Sequence, residues 1–316
     1  MTERLTIFTL QGLGNSLLAL PAVEQFQKHF NITLYLMNRE ALSFYSRLNL
    51  NFETAHFNKV WNIFLDEIKP ASTAVSLYPN WKRELLALSR TKAGRKISFL
   101  DPRYPLSRFV RSQKIVAEPI HDIENNANIF AHLNLPYEPP DLSRFFPGAK
   151  KKQISIHPTA STVLKRYPKS FWSMIIRHFL NRGYSILLFS GNSPDEKSYL
   201  TELIQETGAS DNLSAHCGLP LYEVAQHLNA SEIFIGLDSA LMHLSALLNV
   251  FTIGLWSYAD YRRIHPYGNQ AHVYLPQAGS LERAEPADII AITEGVKKPD
   301  FSIQPKFVNA VNFYTY

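Results

Sequence analysis

The chain has 316 residues, 46% of them hydrophobic and 12% aromatic, enough to fill two cores of ordinary domain size, which excludes a disordered or fibrous polypeptide. No run approaches the roughly 20 apolar residues that a bilayer-spanning helix requires. The opening MTERLTIFTLQGLG carries no signal-peptide pattern, and the single cysteine, Cys217, excludes an internal disulfide framework, so a cytoplasmic chain with a structural Cys217 is expected.

The first half alternates short apolar runs with amphipathic stretches. LTIFTL (5–10) reads as a strand, 16 to about 30 as a helix, ITLYLM (32–37) as a strand and 39–48 as a helix. TAVSLY (73–78) and KISFL (96–100) follow as strands, and 122–133 as a helix. PYEPPDLSRFFPGAKKKQ (136–153), with four prolines and a lysine cluster, breaks the pattern and reads as an interdomain linker. The alternation then resumes: ISIHP (154–158), a helix over 169–182, YSILLFSG (184–191), helices over 194–207 and 220–229, EIFIGL (232–237), a helix holding His243, FTIGLW (251–256) and a helix over 286–296. This is the pattern of an α/β chain with two doubly wound domains. The expected division is 1–148 and 149–298, followed by a tail, 299–316, whose packing the pattern leaves open.

Positive charge is uneven. Lys82, Arg83, Arg90, Lys92, Arg95, Lys96, Arg103, Arg108, Arg111 and Lys114 face only Glu84 and Asp101 within their segment. Such an excess suits an acidic acceptor or an anionic membrane surface, or is simply a solvated face. Nucleic acid is not expected, since no nucleic-acid-binding motif accompanies the charge. Gly12-Leu13-Gly14 after the first strand suggests a dinucleotide loop, but the chain continues Asn15-Ser16-Leu17 and no acidic residue ends the second strand, so hydride transfer is set aside.

The segment SEIFIGLDSALMHLSALLNVFTIGLW (231–256) is the richest in chemistry: strand, short turn, helix, strand, with Asp238 and Ser239 where the helix begins. In a parallel sheet the carboxyl end of a strand faces the ligand crevice, and the next helix presents unpaired N–H groups that suit a phosphate. Asp238, Ser239 and His243 are therefore expected near one anionic ligand. The alternative is that Asp238 or Ser239 merely caps the helix while His243 packs beneath it.

This segment resembles the DSGPMHLA-type stretch of glycosyltransferase family 9, the bacterial lipopolysaccharide heptosyltransferases. ISIHPTASTVLKRYPKSFW (154–172) is similar to that family's strand, small-residue loop and Lys-Arg-Trp-Pro turn. GLGNSLLALPAVEQFQKHF (12–30) resembles its G-x-G-D-x-x-x-x-x-P-A loop and helix, and HDIENNANIFAHLNLP (121–136) its helix before the linker. The likeness runs from about residue 5 to 296 in four islands.

The resemblance implies a GT-B architecture, two Rossmann-like domains facing a central cleft. It also implies an inverting transferase using a nucleotide-diphosphate sugar, plausibly ADP-heptose, with a lipopolysaccharide-type, acidic glycan or lipid-linked acceptor. Metal-free chemistry is expected, since no Asp-x-Asp triplet occurs; no cofactor beyond the donor is implied. The cytoplasmic face of the inner membrane is then the expected place of work. Lys165 is expected on the donor phosphates, with Thr159, Ser161 and Thr162 as further phosphate contacts. Asp238, Ser239 and His243 would lie beneath the diphosphate, with Ala240 and Leu241 where the family commonly has glycine and proline. Leu219 would support the base, and Asp195 and Glu196 the ribose. Gly12, Gly14, Asn15 and His121 would meet the acceptor. Asn15 replaces the family's aspartate, and a carboxamide cannot take a proton. Asp101 or His121 is left as a substitute base, with a non-catalytic binder or a nucleotide-sugar epimerase as the alternatives.

Overall fold

The structure, a computed structural model, describes residues 3–78, 82–100, 108, 110–118, 120–138, 140–160, 162–256, 263–268, 270–276, 281–296 and 301–302. Ser161, Asp101, Arg103 and most of the tail lie outside these residues. The chain divides into two compact units between Pro140 and Asp141.

The amino-terminal unit is built on strands β1 (Arg4–Thr9), β2 (Asn31–Leu36), β3 (Phe52–His56), β4 (Thr73–Ser76), β5 (Arg95–Leu100) and β6 (Gln113–Val116). Between and after them run helices α1 (Leu13–Phe26), α2 (Arg39–Ser46), α3 (Asn62–Leu65), α4 (Lys82–Arg90) and α5 (Asp122–His132). The sheet order is β3-β2-β1-β4-β5-β6, and every pairing is parallel. The central β1 and β4 are continuous buried runs, as a strand covered on both faces must be.

The carboxyl-terminal unit contains β7 (Lys151–His157), β8 (Ser185–Ser190), β9 (Leu213–Cys217), β10 (Ser231–Leu237), β11 (Phe251–Leu255), β12 (Ala271–Tyr274) and β13 (Phe301–Ser302). Its helices are α6 (Lys169–Asn181), α7 (Pro194–Thr207), α8 (Leu221–Ala230), α9 (Ala240–Leu247) and α10 (Pro286–Thr293). The order is β13-β12-β11-β10-β7-β8-β9, parallel except for β13, which runs antiparallel along β12. Trp172 and Phe171 of α6 pack with Ile154, Ile156, Ile186 and Leu188 of β7 and β8 in one core.

The division precedes the expected position after residue 148 because the intervening segment is hydrogen-bonded into the second unit. The Leu142 N–H donates to the Leu247 carbonyl at 2.8 Å, and the Asn229 side chain donates to the Phe146 carbonyl.

Both sheets follow one wiring: each begins in the middle, winds outward to one side, then crosses back to the other. The reversal falls between β1 and β4 in the first unit and between β7 and β10 in the second. At such a point the loops leaving two adjacent strand ends diverge and open a crevice, the usual ligand position in open α/β sheets.

Candidate functional site

In the second unit the reversal brings two segments together. β7 and β10 are neighbours with Gly236 opposite His157, and the chain leaves both strands on the same edge. A side chain at 236 would not fit, since a Cβ there would stand 2.6 Å from the Phe234 ring and 3.2 Å from the His157 Cβ. After β7 the chain runs through residues 158–162 into a short 3-10 turn, Val163–Lys165. After β10 it passes Asp238 and Ser239 into α9.

Here Lys165 Nζ lies 2.8 Å from Asp238 Oδ2, an ion pair whose side chains are 27% and 13% exposed. The cation and the start of α9 therefore share one mouth. Ser239 holds the N-cap position, but its side chain makes no cap hydrogen bond. Its Oγ instead lies 2.9 Å from His157 Nδ1, which ties the two loops to each other. A helix start without a side-chain cap offers N–H donors and a positive dipole end to an anion. His243, in the first turns of α9, is buried. Burial pushes its imidazole down to about 4 against the pull of Asp238, so the ring is neutral, and its Nδ1 has no hydrogen-bond partner among the described residues. Asp238 and Ser239 thus join Lys165 at the surface, while His243 supports them from below.

A second layer fixes the 158–165 loop. Thr159 is fully buried, and its Oγ1 donates to Glu196 Oε1 at 3.0 Å. Ser193 caps α7 and exchanges hydrogen bonds with Glu196, whose carboxylate also accepts the Gly191 N–H at 3.3 Å. Burial raises the proton affinity of Glu196, but bonds from Ser193, Thr159 and Gly191 outweigh it and hold the carboxyl below its ordinary range. Of the residues expected at the donor, Glu196 and Thr159 are hydrogen-bonded to each other, and Asp195 pairs with Arg166 at 2.7 Å. Thr162 is exposed beside the turn, Leu219 is half-buried between β9 and α8, and Ser161 lies outside the described residues.

Arg166 and His157 are organisers that sequence reasoning missed. The Arg166 Nε and Nη2 both donate to the Ala160 carbonyl, at 3.0 and 2.8 Å, and its guanidinium lies over the Tyr199 ring. Replacing Arg166 with alanine is expected to lower stability by about 2 kcal/mol, because the paired bonds and the ion pair are lost together. Thermal melting checks this, and an unchanged midpoint would remove Arg166 from the loop's support. His157, also buried and pushed down to about 4 by burial, links Ser239 to the Thr159–Glu196 side. The one available signal was His157 at the end of a strand, next to Pro158.

In the amino-terminal unit, Gly12 caps α1, with its backbone extended and nothing within 4 Å of where a Cβ would stand. Gly14 and Asn15 are in the first turn of α1, so that helix begins earlier than the expected residue 16. The Asn15 Nδ2 donates to the Gln11 Oε1. Beneath them Glu84 of α4 is fully buried, accepting the Leu10 N–H at 2.8 Å. Burial pushes its carboxyl up to about 7, opposed chiefly by the Leu10 bond. Glu84, Gln11 and Asn15 therefore form a file of side chains under the mouth of the first sheet. Glu84 could have been found from its place on the apolar stripe with Ala87 and Leu88. His121, expected at the acceptor, is buried as the N-cap of α5, its Nδ1 accepting the Ile123 N–H at 3.1 Å. That bond occupies one ring nitrogen in a structural task; Asp101 lies outside the described residues. Among the described residues, no three histidine, cysteine or carboxylate side chains are grouped to hold a metal ion.

These two strand-end mouths lie on two doubly wound α/β sheets of the same wiring. Residues 87–288 match the family model "Glycosyltransferase family 9 (heptosyltransferase)", and the chain belongs to that family. It is similar to lipopolysaccharide heptosyltransferase 3 of Escherichia coli, 28% identical over 124 residues, which cover 39% of this chain and 36% of that protein. With lipooligosaccharide heptosyltransferase 2 of Campylobacter jejuni it shares 23% identity over 274 residues, 82% of each chain. The chain thus spans about a third of the length of the first relative and most of the second. Among solved structures, Escherichia coli heptosyltransferase WaaC with ADP superimposes with a TM-score of 0.79 at 17% identity, over 93% of this chain and 100% of that one. The α/β fold expected from the alternation is the fold of these heptosyltransferases.

Proposed function

We propose that this chain is an inverting, metal-independent transferase that moves a heptose-type sugar from an ADP-activated donor to a lipopolysaccharide-type acceptor. The observation that carries the reading is the meeting of Lys165 with the uncapped start of α9 at the strand reversal of the second unit. Charge that grows on a departing diphosphate needs fixed positive partners; a lysine and a helix N-terminus at one mouth supply them without a metal. Relatives solved with ADP and with an ADP-heptose analogue support the choice of nucleotide.

In the proposed reaction the acceptor hydroxyl oxygen attacks the anomeric carbon from the face opposite the diphosphate. The carbon–oxygen bond to the diphosphate breaks as the new glycosidic bond forms, and the hydroxyl proton leaves to a base. Asn15 orients the hydroxyl, and the proton passes to the departing diphosphate or to solvent water, since the carboxamide has no free basicity. The acceptor would be held by the amino-terminal unit around Gly12, Gly14 and Asn15. Work at the cytoplasmic face of the inner membrane fits such an acceptor.

The test is a melting panel with ADP, UDP, GDP and ADP-heptose, followed by product analysis with and without an acceptor glycan. ADP and ADP-heptose are expected to raise the melting midpoint, by an amount equivalent to about 2.7 kcal/mol at a hundredfold excess over Kd. Stabilisation without transfer would favour the binding-only reading that Asn15 keeps open. An isomerised or released sugar without acceptor would point to an epimerase, and indifference to every nucleotide would end the proposal.

A further inference from the structure

One face of the amino-terminal unit does not belong to either strand-end mouth. In α3 only Ile63 turns inward, while Trp61 just before it is 72% exposed, Phe64 45% and Leu65 79%. The Trp61 and Phe64 rings sit 6.0 Å apart, forming one apolar surface with Val60. Soluble surfaces seldom gather an indole, a phenyl ring and two aliphatic side chains at one spot unless something covers them.

Beside this surface lies a basic groove. Arg90, the last residue of α4, donates to the carbonyls of Ile63 and Asp66, so the ends of α3 and α4 meet. The chain then continues directly into a groove of about 760 Å³ lined by residues 91–96 and 111–113. Lys92, Arg95, Lys96 and Arg111 supply its charge, and among the described residues no carboxylate lines it. Arg95 bonds to Gln113 Oε1, Lys96 to the Ser89 carbonyl, and Lys114 next door to Ser98 and Ser112. These are neutral partners. Lys96 is held below its ordinary range by burial and by the neighbouring Arg111 cation. Ala93 of the groove and Ile63 of α3 share one core cluster, which holds patch and groove in fixed proximity. The acidic groups nearby, Asp66 and Glu67, flank α3 rather than the groove.

We propose that Val60, Trp61, Phe64 and Leu65, together with the Lys92–Arg95–Lys96–Arg111 groove, form a docking surface for an anionic lipid bilayer. Aromatic and aliphatic side chains enter the headgroup–acyl boundary, and clustered cations meet lipid phosphates beside them. Charge decides between a bilayer and a second copy of the chain. A two-fold contact through the patch would set two uncompensated basic grooves close together, while anionic headgroups neutralise both. The groove lies at the ends of β5 and β6 where those strands begin, opposite the edge that carries Leu10 and Asn15.

Cosedimentation of the full chain with vesicles tests this independently of transfer. Vesicles of 30% phosphatidylglycerol in phosphatidylcholine are expected to bind it, and pure phosphatidylcholine vesicles to bind it at least tenfold more weakly. Neutralising Arg95, Lys96 and Arg111 together with glutamine is expected to weaken the anionic-vesicle affinity about 100-fold, at roughly two-thirds of a decade per cation. Trp61→Ser with Leu65→Ser should weaken it at least tenfold, while the ADP-induced melting shift stays at its wild-type value in both variants. On the unaltered protein, brominated lipid should quench the Trp61 contribution, identified as the emission lost in Trp61→Phe. Equal binding to neutral and anionic vesicles, no binding, or absence of quenching would overturn the proposal. So would a concentration-dependent dimer that disappears in Leu65→Ser, since it would assign the patch to a second copy.

Discussion

Replacing Lys165 with alanine is expected to reduce kcat/KM for the nucleotide-sugar donor by at least 100-fold while leaving the fold intact. The ion pair with Asp238 is partly exposed and contributes at most about 1 kcal/mol to stability, so melting should move little. The effect on transfer is far larger for two reasons that act together. Removing one preorganised donor to a developing oxyanion costs about 3 kcal/mol in comparable sites. In addition, Asp238 would then face the diphosphate with no cation at 2.8 Å to offset it. Lys165→Arg should recover part of the loss through its charge. Steady-state kinetics with varied donor decides the matter: a value within threefold of wild type for the alanine variant would remove Lys165 from the phosphate site.

Titration of the buried groups is expected to pull the two units in opposite directions. His157 and His243, both in the carboxyl-terminal unit, titrate near 4 when folded, against about 6.5 for an unperturbed histidine. The unfolded chain then binds more protons below pH 6.5, so the stability each provides is complete above that pH and drains away as pH falls toward 4. A displacement from 6.5 to about 4 corresponds to about 3 kcal/mol per histidine. Glu84, in the amino-terminal unit, is pushed up to about 7 from 4.5. There the folded chain binds the extra proton, so stability is complete below pH 4.5 and is lost as pH rises through 7. Glu84→Gln should therefore leave stability unchanged at pH 4.5 and raise it at pH 8, by up to about 3 kcal/mol, because an amide carries no charge to bury. Denaturant unfolding of the wild type and this variant at the two pH values measures the difference. An equal gain at both would show that the Glu84 carboxyl ionises in the fold as it does in water.

The sheets were legible where strands are covered on both faces. TIFTL, SISIH and EIFIG announce β1, β7 and β10 because a central parallel strand has to be apolar throughout. The pattern did not reveal β3, β6 and β9, which read FETAH, QKIV and LSAHC. These are outer strands of their sheets with half-exposed faces, so their composition resembles that of a loop. The brief β12 and β13 and the single-turn α3 have too few residues to display a period. Of the site, Asp238, Ser239 and Lys165 were visible because each follows a recognisable strand or turn in the chain. His157 and Arg166 were not, since what each does depends on a partner 82 and 29 positions away, respectively; the place of Glu84 on an apolar stripe was readable, but its bond to Leu10, 74 positions away, was not. The partners of Glu196 were out of sight for the same reason, since Thr159 reaches it from 37 positions away.

The carboxylate of Asp238 has a further consequence for selectivity. Tethered 2.8 Å from the ammonium group, it acts as a resident competitor whose local concentration is set by the protein rather than by the medium. A simple anion such as chloride or free phosphate must displace it with one point of attachment. Under the proposed function, a diphosphate would span both the lysine and the helix start, gaining two attachments for one displacement. The unloaded protein is therefore expected to ignore ordinary cellular anions and to admit only ligands long enough to bridge the mouth.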